Sequence, residues 1–260
     1  MGCDIHCWAE VRKRDGWEAV PAIFTDPYND GQKTEKVYRE RNYDLFAILA
    51  NVRNGYGVAG IESGDGFIPI SHLKDLPEDC SEFYIKQVKE WGNDGHSHSY
   101  LTLEELFNFP HWEKHTIKRG VVSPDGYEEF LKKGEPSGYC LDVGGGRTKI
   151  IPERDMKKYI ASKEWKELYG KIKEHKHMME LAQNEPDPTK QKIMRNGARM
   201  FYIQEIRQAV SFYTEVRWGV SYRKAAGEDF FKNLETLKSY AKENGVTDMD
   251  DIRIVFFFDN

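Results

Sequence analysis

Residues 3–12, Cys-Asp-Ile-His-Cys-Trp-Ala-Glu-Val-Arg, alternate strictly between two kinds of side chain. Because successive side chains on a β-strand point to opposite faces, this alternation predicts a strand. One face carries only small or apolar residues and is suited to a hydrophobic core. The other face carries, in line, Asp4, His6, Trp8, Glu10 and Arg12. Carboxylate, imidazole and indole groups in one row suggest a site as well as a surface.

A turn at Arg14-Asp15-Gly16 separates this strand from the strand-like residues 17–24, which predicts a β-hairpin. The C-terminal run 252–258 is too apolar and aromatic for an exposed tail and predicts a central strand. We therefore expect an α+β fold, in which a small, mainly antiparallel sheet of the N-terminal hairpin and the C-terminal strand packs with helices. The chain is expected to be a single domain, 1–260, whose residues 153–243 form a helical half that is either part of one core or a subdomain.

Capping residues predict where three helices begin. Asn42 is suited to cap a helix that runs to Ala50, with Gly55 beyond its end, and Ser81 a helix that runs to Trp91. Thr102 and Glu105 form a capping-box pattern. Further helices are predicted at 153–183, 189–217 and 227–243, and polar or irregular segments at 25–38, 55–80 and 92–100.

Composition excludes some partners. The chain has 38 Lys and Arg against 43 Asp and Glu, a net charge of −5, which argues against bulk nucleic-acid binding but permits a local basic pocket for a nucleotide. No apolar run approaches the length of a membrane helix, so no membrane partner is expected. Four cysteines without a disulfide pattern or a signal peptide predict a cytoplasmic protein.

Five residues could bind a divalent metal, with zinc or manganese the best match to their chemistry: Asp4, His6, Asp94, His96 and His98. Asp4 and His6 lie about 7 Å apart along one strand face. The alternative is that Asp4 and His6 form a hydrogen-bonded pair and that residues 92–99 are a solvent-exposed loop.

A second candidate site is Arg41-Asn42-Tyr43-Asp44 at the start of the first helix, where backbone N–H groups favour an anion. Simple capping by Asn42, with Asp44 complementing the helix dipole, is the favoured interpretation of these two residues, but it does not explain Arg41 or Tyr43. As substrate-binding residues we expect Trp8, Arg41, Asn42, Tyr43 and Tyr100, which supply stacking and charge.

Four segments resemble, in order, a family of uncharacterised bacteriophage and bacterial proteins. They are Met-Gly-Cys-Asp-Ile-His at the start, Arg41-Asn-Tyr-Asp-Leu-Phe46, His96-Ser-His-Ser-Tyr-Leu-Thr-Leu-Glu-Glu105, and Val255-Phe-Phe-Phe-Asp-Asn260. The resemblance implies a small cytoplasmic protein, in the host cytoplasm if phage-encoded, and brings no activity with it.

We expect the Asp4/His6 strand, the 92–99 segment, the Arg41 helix start and Asp259 to converge at one site. The favoured function is a metal-dependent hydrolase of a phosphoester or nucleotide, such as a host signalling nucleotide, with Arg41 and Asp94 as catalytic groups. The alternative is a non-catalytic accessory protein that binds or sequesters a nucleotide or host protein. The partner expected for hydrolysis or for nucleotide binding is a small phosphorylated ligand or nucleotide. A third alternative is a purely structural or host-interaction protein, in which the polar strand face pairs internally.

Overall fold

A computed structural model describes residues 2–24, 33–207, 209 and 211–259. In it the alternating segment forms strand β1, Asp4–Lys13. The further strands and helices, in chain order, are β2 (Gly16–Ala19), α1 (Tyr43–Ala50), α2 (Glu82–Trp91), β3 (His96–Thr102), α3 (Leu103–Phe107), β4 (His115–Val122), α4 (Pro124–Lys133), β5 (Thr148–Ile150), α5 (Glu153–Ala161), α6 (Lys163–Asn184), α7 (Pro188–Phe201), β6 (Ser211–Ser221), α8 (Tyr222–Ala226), α9 (Glu228–Glu243) and β7 (Ile252–Asp259). The chain divides into two compact units: unit 1 (Met1–Lys118 with Gly219–Asn260) and unit 2 (Arg119–Trp218).

Unit 1 contains a four-stranded antiparallel sheet with the strand order β2-β1-β7-β3. The first and last strands are therefore neighbours, and Asp4 lies directly opposite Asp259. Both faces of the sheet are covered, because Phe256 belongs to the main core on one face and Phe257 to a smaller aromatic cluster on the other. Two-sided burial explains why β7 is apolar almost throughout. The α+β prediction, with the N-terminal hairpin and C-terminal strand in one sheet, is confirmed.

The helix starts that capping chemistry predicts are also confirmed. Asn42 Oδ1 accepts the backbone N–H groups of Asp44 (3.0 Å) and Leu45 (3.1 Å). Ser81 caps α2, and Thr102 and Glu105 form the complete capping box of α3. Helix α1 ends at Ala50, as the sequence predicts, but Asn51 and not Gly55 adopts the left-handed conformation that ends the helix.

Three segments differ from the sequence-based expectation. Most of the polar segment 92–100 is strand β3, because its backbone pairs with β7 over a β-bulge between His96 and Ser99. The predicted helix 153–183 is broken at Ser162, whose side chain caps α6. The predicted helix 189–217 ends as α7 at Phe201, continues as a π-helical turn, Tyr202–Ile206, and is followed by β6. Of the predicted irregular segment 25–38, residues 25–32 lie outside the described part of the chain.

Unit 2 carries helices α4 to α7. The boundaries of the two units fall within β4 and β6, which belong to a second sheet of order β4-β6-β5 with β5 parallel to β6. The core of unit 2 includes Tyr127, Met156 and Trp218. The predicted helical half, 153–243, is divided: α5 to α7 lie in unit 2, and α8 and α9 in unit 1. Within the described ranges, every helix is too short or too polar to cross a membrane.

Candidate functional site

A cluster of charged side chains forms where β1 begins and β7 ends. Arg41 donates two hydrogen bonds to Asp4, Nε to Oδ1 (2.7 Å) and Nη2 to Oδ2 (2.6 Å). This guanidinium lowers the pKa of Asp4, mainly through the hydrogen bond. The backbone N–H of Asp4 donates to Asp259 Oδ1 at 3.0 Å. The structure thus brings Asp4, Arg41 and Asp259 together, as the sequence predicts. Each of the two carboxylates accepts hydrogen bonds, that of Asp4 from Arg41 and that of Asp259 from the Asp4 backbone.

His6 is enclosed in the same cluster and both of its ring nitrogens have partners. Nε2 lies 3.1 Å from Asp259 Oδ2, and Lys36 Nζ lies 2.9 Å from Nδ1. Because an ammonium group can only donate, Nδ1 accepts and the proton of the neutral ring is on Nε2. Burial, followed by the charge of Lys36, lowers the pKa of His6, which favours this neutral form. His6 would have to break one of these two bonds to coordinate a metal.

The strand order separates the candidate metal ligands. Phe257 of the central strand β7 lies between His6 on β1 and His98 on β3, with ring centroids at 4.8 Å and 5.2 Å. His96 instead lies opposite Phe258, because the bulge in β3 shifts its register. Asp94 is exposed in the 3-10 turn Gly92–Asp94. In the part of the chain that the structure describes, no group of three or more His, Cys, Asp or Glu is arranged to hold a metal ion.

The candidate substrate-binding side chains are engaged within the fold. Trp8 is buried against Tyr84 and Phe257. Tyr100 is half-buried, and its ring lies 4.7 Å from Lys74 Nζ and near Arg253. These aromatic rings stabilise the sheet surface.

Asn42 and Tyr43 are engaged in the same way at the start of α1. The amide group of Asn42 donates to the carbonyls of Ala225 (2.8 Å) and Ala226 (3.1 Å) while its oxygen caps α1. Tyr43 accepts the backbone N–H of Cys3 at 3.3 Å. Asn42 therefore joins α1 to α8, which is a structural task.

A separate pocket of about 870 Å³ opens beside the cluster, between the C-terminal end of α1 and the start of β3. Its size lies within the range of small-molecule sites. The lining residues are Cys3, Ala50, Asn51, Val52, Arg53, Pro69, Ser71, His72, Leu73, His96 and Ser97. All belong to unit 1. Of the predicted site residues, His96 alone is among them.

The wall of this pocket contains unusual backbone. Five described non-glycine residues have a positive φ, and three of them, Asn51 (59°), Arg53 (53°) and Ser97 (53°), line this pocket. Asparagine tolerates the left-handed region, whereas arginine and serine adopt it at a cost. The conformation of Ser97 belongs to the bulge of β3, and bulges often occur beside functional sites.

The polar side chains of the pocket can donate hydrogen bonds, and Arg53 can only donate. Arg53 is held by a bond to the Gly57 carbonyl (3.2 Å) and lies over the Tyr43 ring at 5.1 Å. His96 Nδ1 is bonded to Ser97 Oγ (2.9 Å), while its buried Nε2 has no hydrogen-bond partner among the described residues. The lining residues include no carboxylate. This arrangement is suited to binding an anion.

Cys3 supplies no nucleophile here, because burial raises the pKa of its thiol and keeps it protonated. Sequence reasoning missed Arg53 and His72 in the pocket and Lys36 in the charged cluster. The sequence does contain a signal for Arg53, because the polar segment Asn51-Val-Arg-Asn54 directly follows an apolar helix.

Comparison with protein-family models, with curated proteins and with solved structures found no match to this chain.

Proposed function

We propose that the protein is a binding module that holds a small phosphorylated molecule, such as a nucleotide, in the pocket of unit 1. The observation that carries this proposal is the concentration of left-handed, non-glycine backbone in the pocket wall. Such backbone costs about 1–3 kcal/mol per residue and persists at sites that need a fixed geometry. Here it positions the side chains of Arg53 and Ser97.

The chemistry of the lining supports an anionic ligand that also carries donors. Arg53, His72, His96 and the hydroxyl of Ser97 can donate to phosphate oxygens. The end of α1 contributes the negative pole of a helix, which favours a hydrogen-bond donor on the ligand. A nucleotide combines both features, since its phosphates are anionic and its base and sugar carry N–H and O–H groups.

Binding without turnover is the function that the geometry supports better than hydrolysis. Both nitrogens of His6 are engaged, and Phe257 lies between His6 and His98. A divalent-metal hydrolase that uses Asp4, His6, Asp94, His96 and His98 stays a prediction that metal analysis tests. It requires a rearrangement of β3 or of the Lys36–His6–Asp259 contacts.

The cellular setting belongs to the same proposal. A reducing cytoplasm suits four cysteines that are free thiols. If the resemblance to bacteriophage proteins holds, that cytoplasm is the host's, and a host signalling nucleotide is a ligand of the class that the pocket favours. Sequestering such a molecule requires affinity and no catalysis.

Isothermal titration of the purified protein with nucleoside monophosphates and triphosphates, cyclic dinucleotides and pyrophosphate tests the proposal. His96→Ala and Arg53→Gln remove donors from the pocket and should weaken binding about tenfold or more, the usual effect of losing a bond to a charged group. His98→Ala is the matched control, because this histidine contacts Phe257 and does not line the pocket. It should leave affinity within about twofold of wild type.

The two histidine variants also separate binding from metal-dependent hydrolysis. Equal loss in both variants, together with product formation that stops in chelator, would replace the binding module with the hydrolase. If no compound of the panel binds to the wild type, the proposal is wrong.

A further inference from the structure

The net charge of −5 averages over two units of opposite sign. Unit 2 contains 19 Lys and Arg and 15 Asp and Glu, which gives a formal charge of +4. Unit 1 contains 19 Lys and Arg and 28 Asp and Glu, which gives a formal charge of −9. The expectation of no bulk nucleic acid rests on the average. That expectation leaves open a local surface of unit 2, whose net positive charge has the sign that a polyanion partner requires.

The positive charge is concentrated on α7. This helix contains Lys190, Lys192, Arg195 and Arg199 and no acidic residue. Arg195 and Arg199 are four residues apart, so they project from the same face of the helix on successive turns. Both side chains are exposed. Among the described residues, neither guanidinium has an ion-pair partner.

An open cavity of about 460 Å³ lies against these two arginines, within unit 2. It is lined by His175, Met179, Arg195, Asn196, Arg199 and Tyr202. The rings of His175 and Tyr202 lie 5.3 Å apart and are tilted by 43°. Tyr202 and Met179 are both exposed, at 43% and 40%. Two cations therefore adjoin an exposed aromatic and apolar surface.

We infer that this cavity is a binding site for single-stranded nucleic acid. Arg195 and Arg199 contact successive phosphates, and a base stacks on Tyr202 beside Met179. Guanidinium groups along a backbone track, with aromatic rings on which bases stack, are the general means of binding single strands without sequence preference. The open shape fits a strand that passes across the surface better than an enclosed small molecule. This site is independent of the pocket in unit 1.

Fluorescence anisotropy of a labelled 12-nucleotide oligouridine with the full chain tests the inference. Arg195→Gln/Arg199→Gln should weaken binding and reduce the slope of log K against log salt by about 1.4, since each single-strand phosphate contact contributes about 0.7. Tyr202→Leu should weaken binding about tenfold through lost stacking, with little change in the salt slope. All three side chains are exposed, so these variants are expected to fold.

Arg154→Gln/Lys158→Gln is the matched control. It removes the same charge from the same unit at side chains that are 82% and 80% exposed on α5. It should leave affinity within about twofold of wild type, as should His96→Ala in the unit 1 pocket. Equal effects of the two double variants would show a non-specific charge effect and overturn the inference. Equally tight binding of polyglutamate, of a duplex or of uridine monophosphate would also overturn it.

Discussion

Arg253 of β7 is the most informative residue for testing how the unit 1 sheet is stabilised. Its Nε donates to Glu10 Oε2 at 2.9 Å, and its Nη1 donates to Asp79 Oδ1 at 3.1 Å. The guanidinium carbon lies 3.8 Å from the centroid of the Trp17 ring. The side chains of Arg253 and Glu10 are only 3% and 1% exposed. Water can therefore replace neither member of the Arg253–Glu10 pair, whereas Asp79 is 58% exposed.

We predict that Arg253→Met lowers the free energy of unfolding by about 3–5 kcal/mol, because it leaves the Glu10 carboxylate buried without its cation. For a chain of this size the melting temperature should fall by about 6–20 °C. In the double variant Glu10→Gln/Arg253→Met, the free energy of unfolding should fall by less than the sum of the two single-variant decreases. The difference should be about 1.5–3 kcal/mol, because no buried charge is left without a partner. The amide oxygen of the substituted side chain would keep an acceptor for the Ser81 N–H, which now bonds to Glu10 at 2.8 Å.

Urea unfolding followed by circular dichroism measures these differences. Arg41→Gln is the control, since the Arg41–Asp4 pair has similar geometry but side chains that are 51% and 44% exposed. It should cost much less than Arg253→Met, and that smaller cost should shrink in 1 M salt, whereas the cost of Arg253→Met should not. Strict additivity in the double variant, or a cost of Arg253→Met no larger than that of Arg41→Gln, would refute the reasoning.

Three further predictions concern the same unit. Asn42→Ala should cost about 1–2 kcal/mol in urea unfolding through loss of the α1 cap, and Asn42→Asp should recover most of the capping part. The pKa values of His6 and His98 are lowered by burial, so below about pH 6.5 the unfolded chain binds more protons than the folded chain. The free energy of unfolding should therefore fall as the pH falls from about 6.5 through the folded pKa values, and His98→Gln should flatten this slope; an unchanged slope would contradict the assignment for His98. Gly64→Ala should cost about 3 kcal/mol in thermal unfolding, because the φ of Gly64 is +145° and a Cβ there would lie 2.2 Å from the Ile117 carbonyl oxygen. Gly60 also has a positive φ, but a Cβ there would meet no atom within 4 Å, so Gly60→Ala should cost only about 1 kcal/mol.

Local chemistry made part of this fold predictable. The side chains of Asn42, Ser81 and Thr102 bond to backbone groups two or three residues away, so the sequence next to each cap contains the whole interaction. Strand β1 was visible for the same reason, since alternation is a property of consecutive residues. The central position of β7 followed from its unbroken apolar run.

The site was less predictable because it depends on pairing between distant segments. His96 and His98 are two residues apart and would share one face of a regular strand, but the bulge in β3 gives them different neighbours on β7. Nothing in the polar sequence from Gly92 to Tyr100 indicates that its backbone pairs with β7. The pocket likewise combines the end of α1 with the start of β3, and no local pattern brings those segments together.

The pairing of β1 with β7 has a consequence for synthesis on the ribosome. Asp4 and Asp259 bond across 255 residues, and β7 lies in the middle of its sheet. At about 5–20 residues per second, β1 waits roughly 13–50 s for this partner after it is made. Unit 2 is one continuous stretch of the chain, and all of it is synthesised before β7. During that interval β1 and β3 have edges that only β7 later covers, so nascent chains should depend on chaperones until translation reaches the final strand.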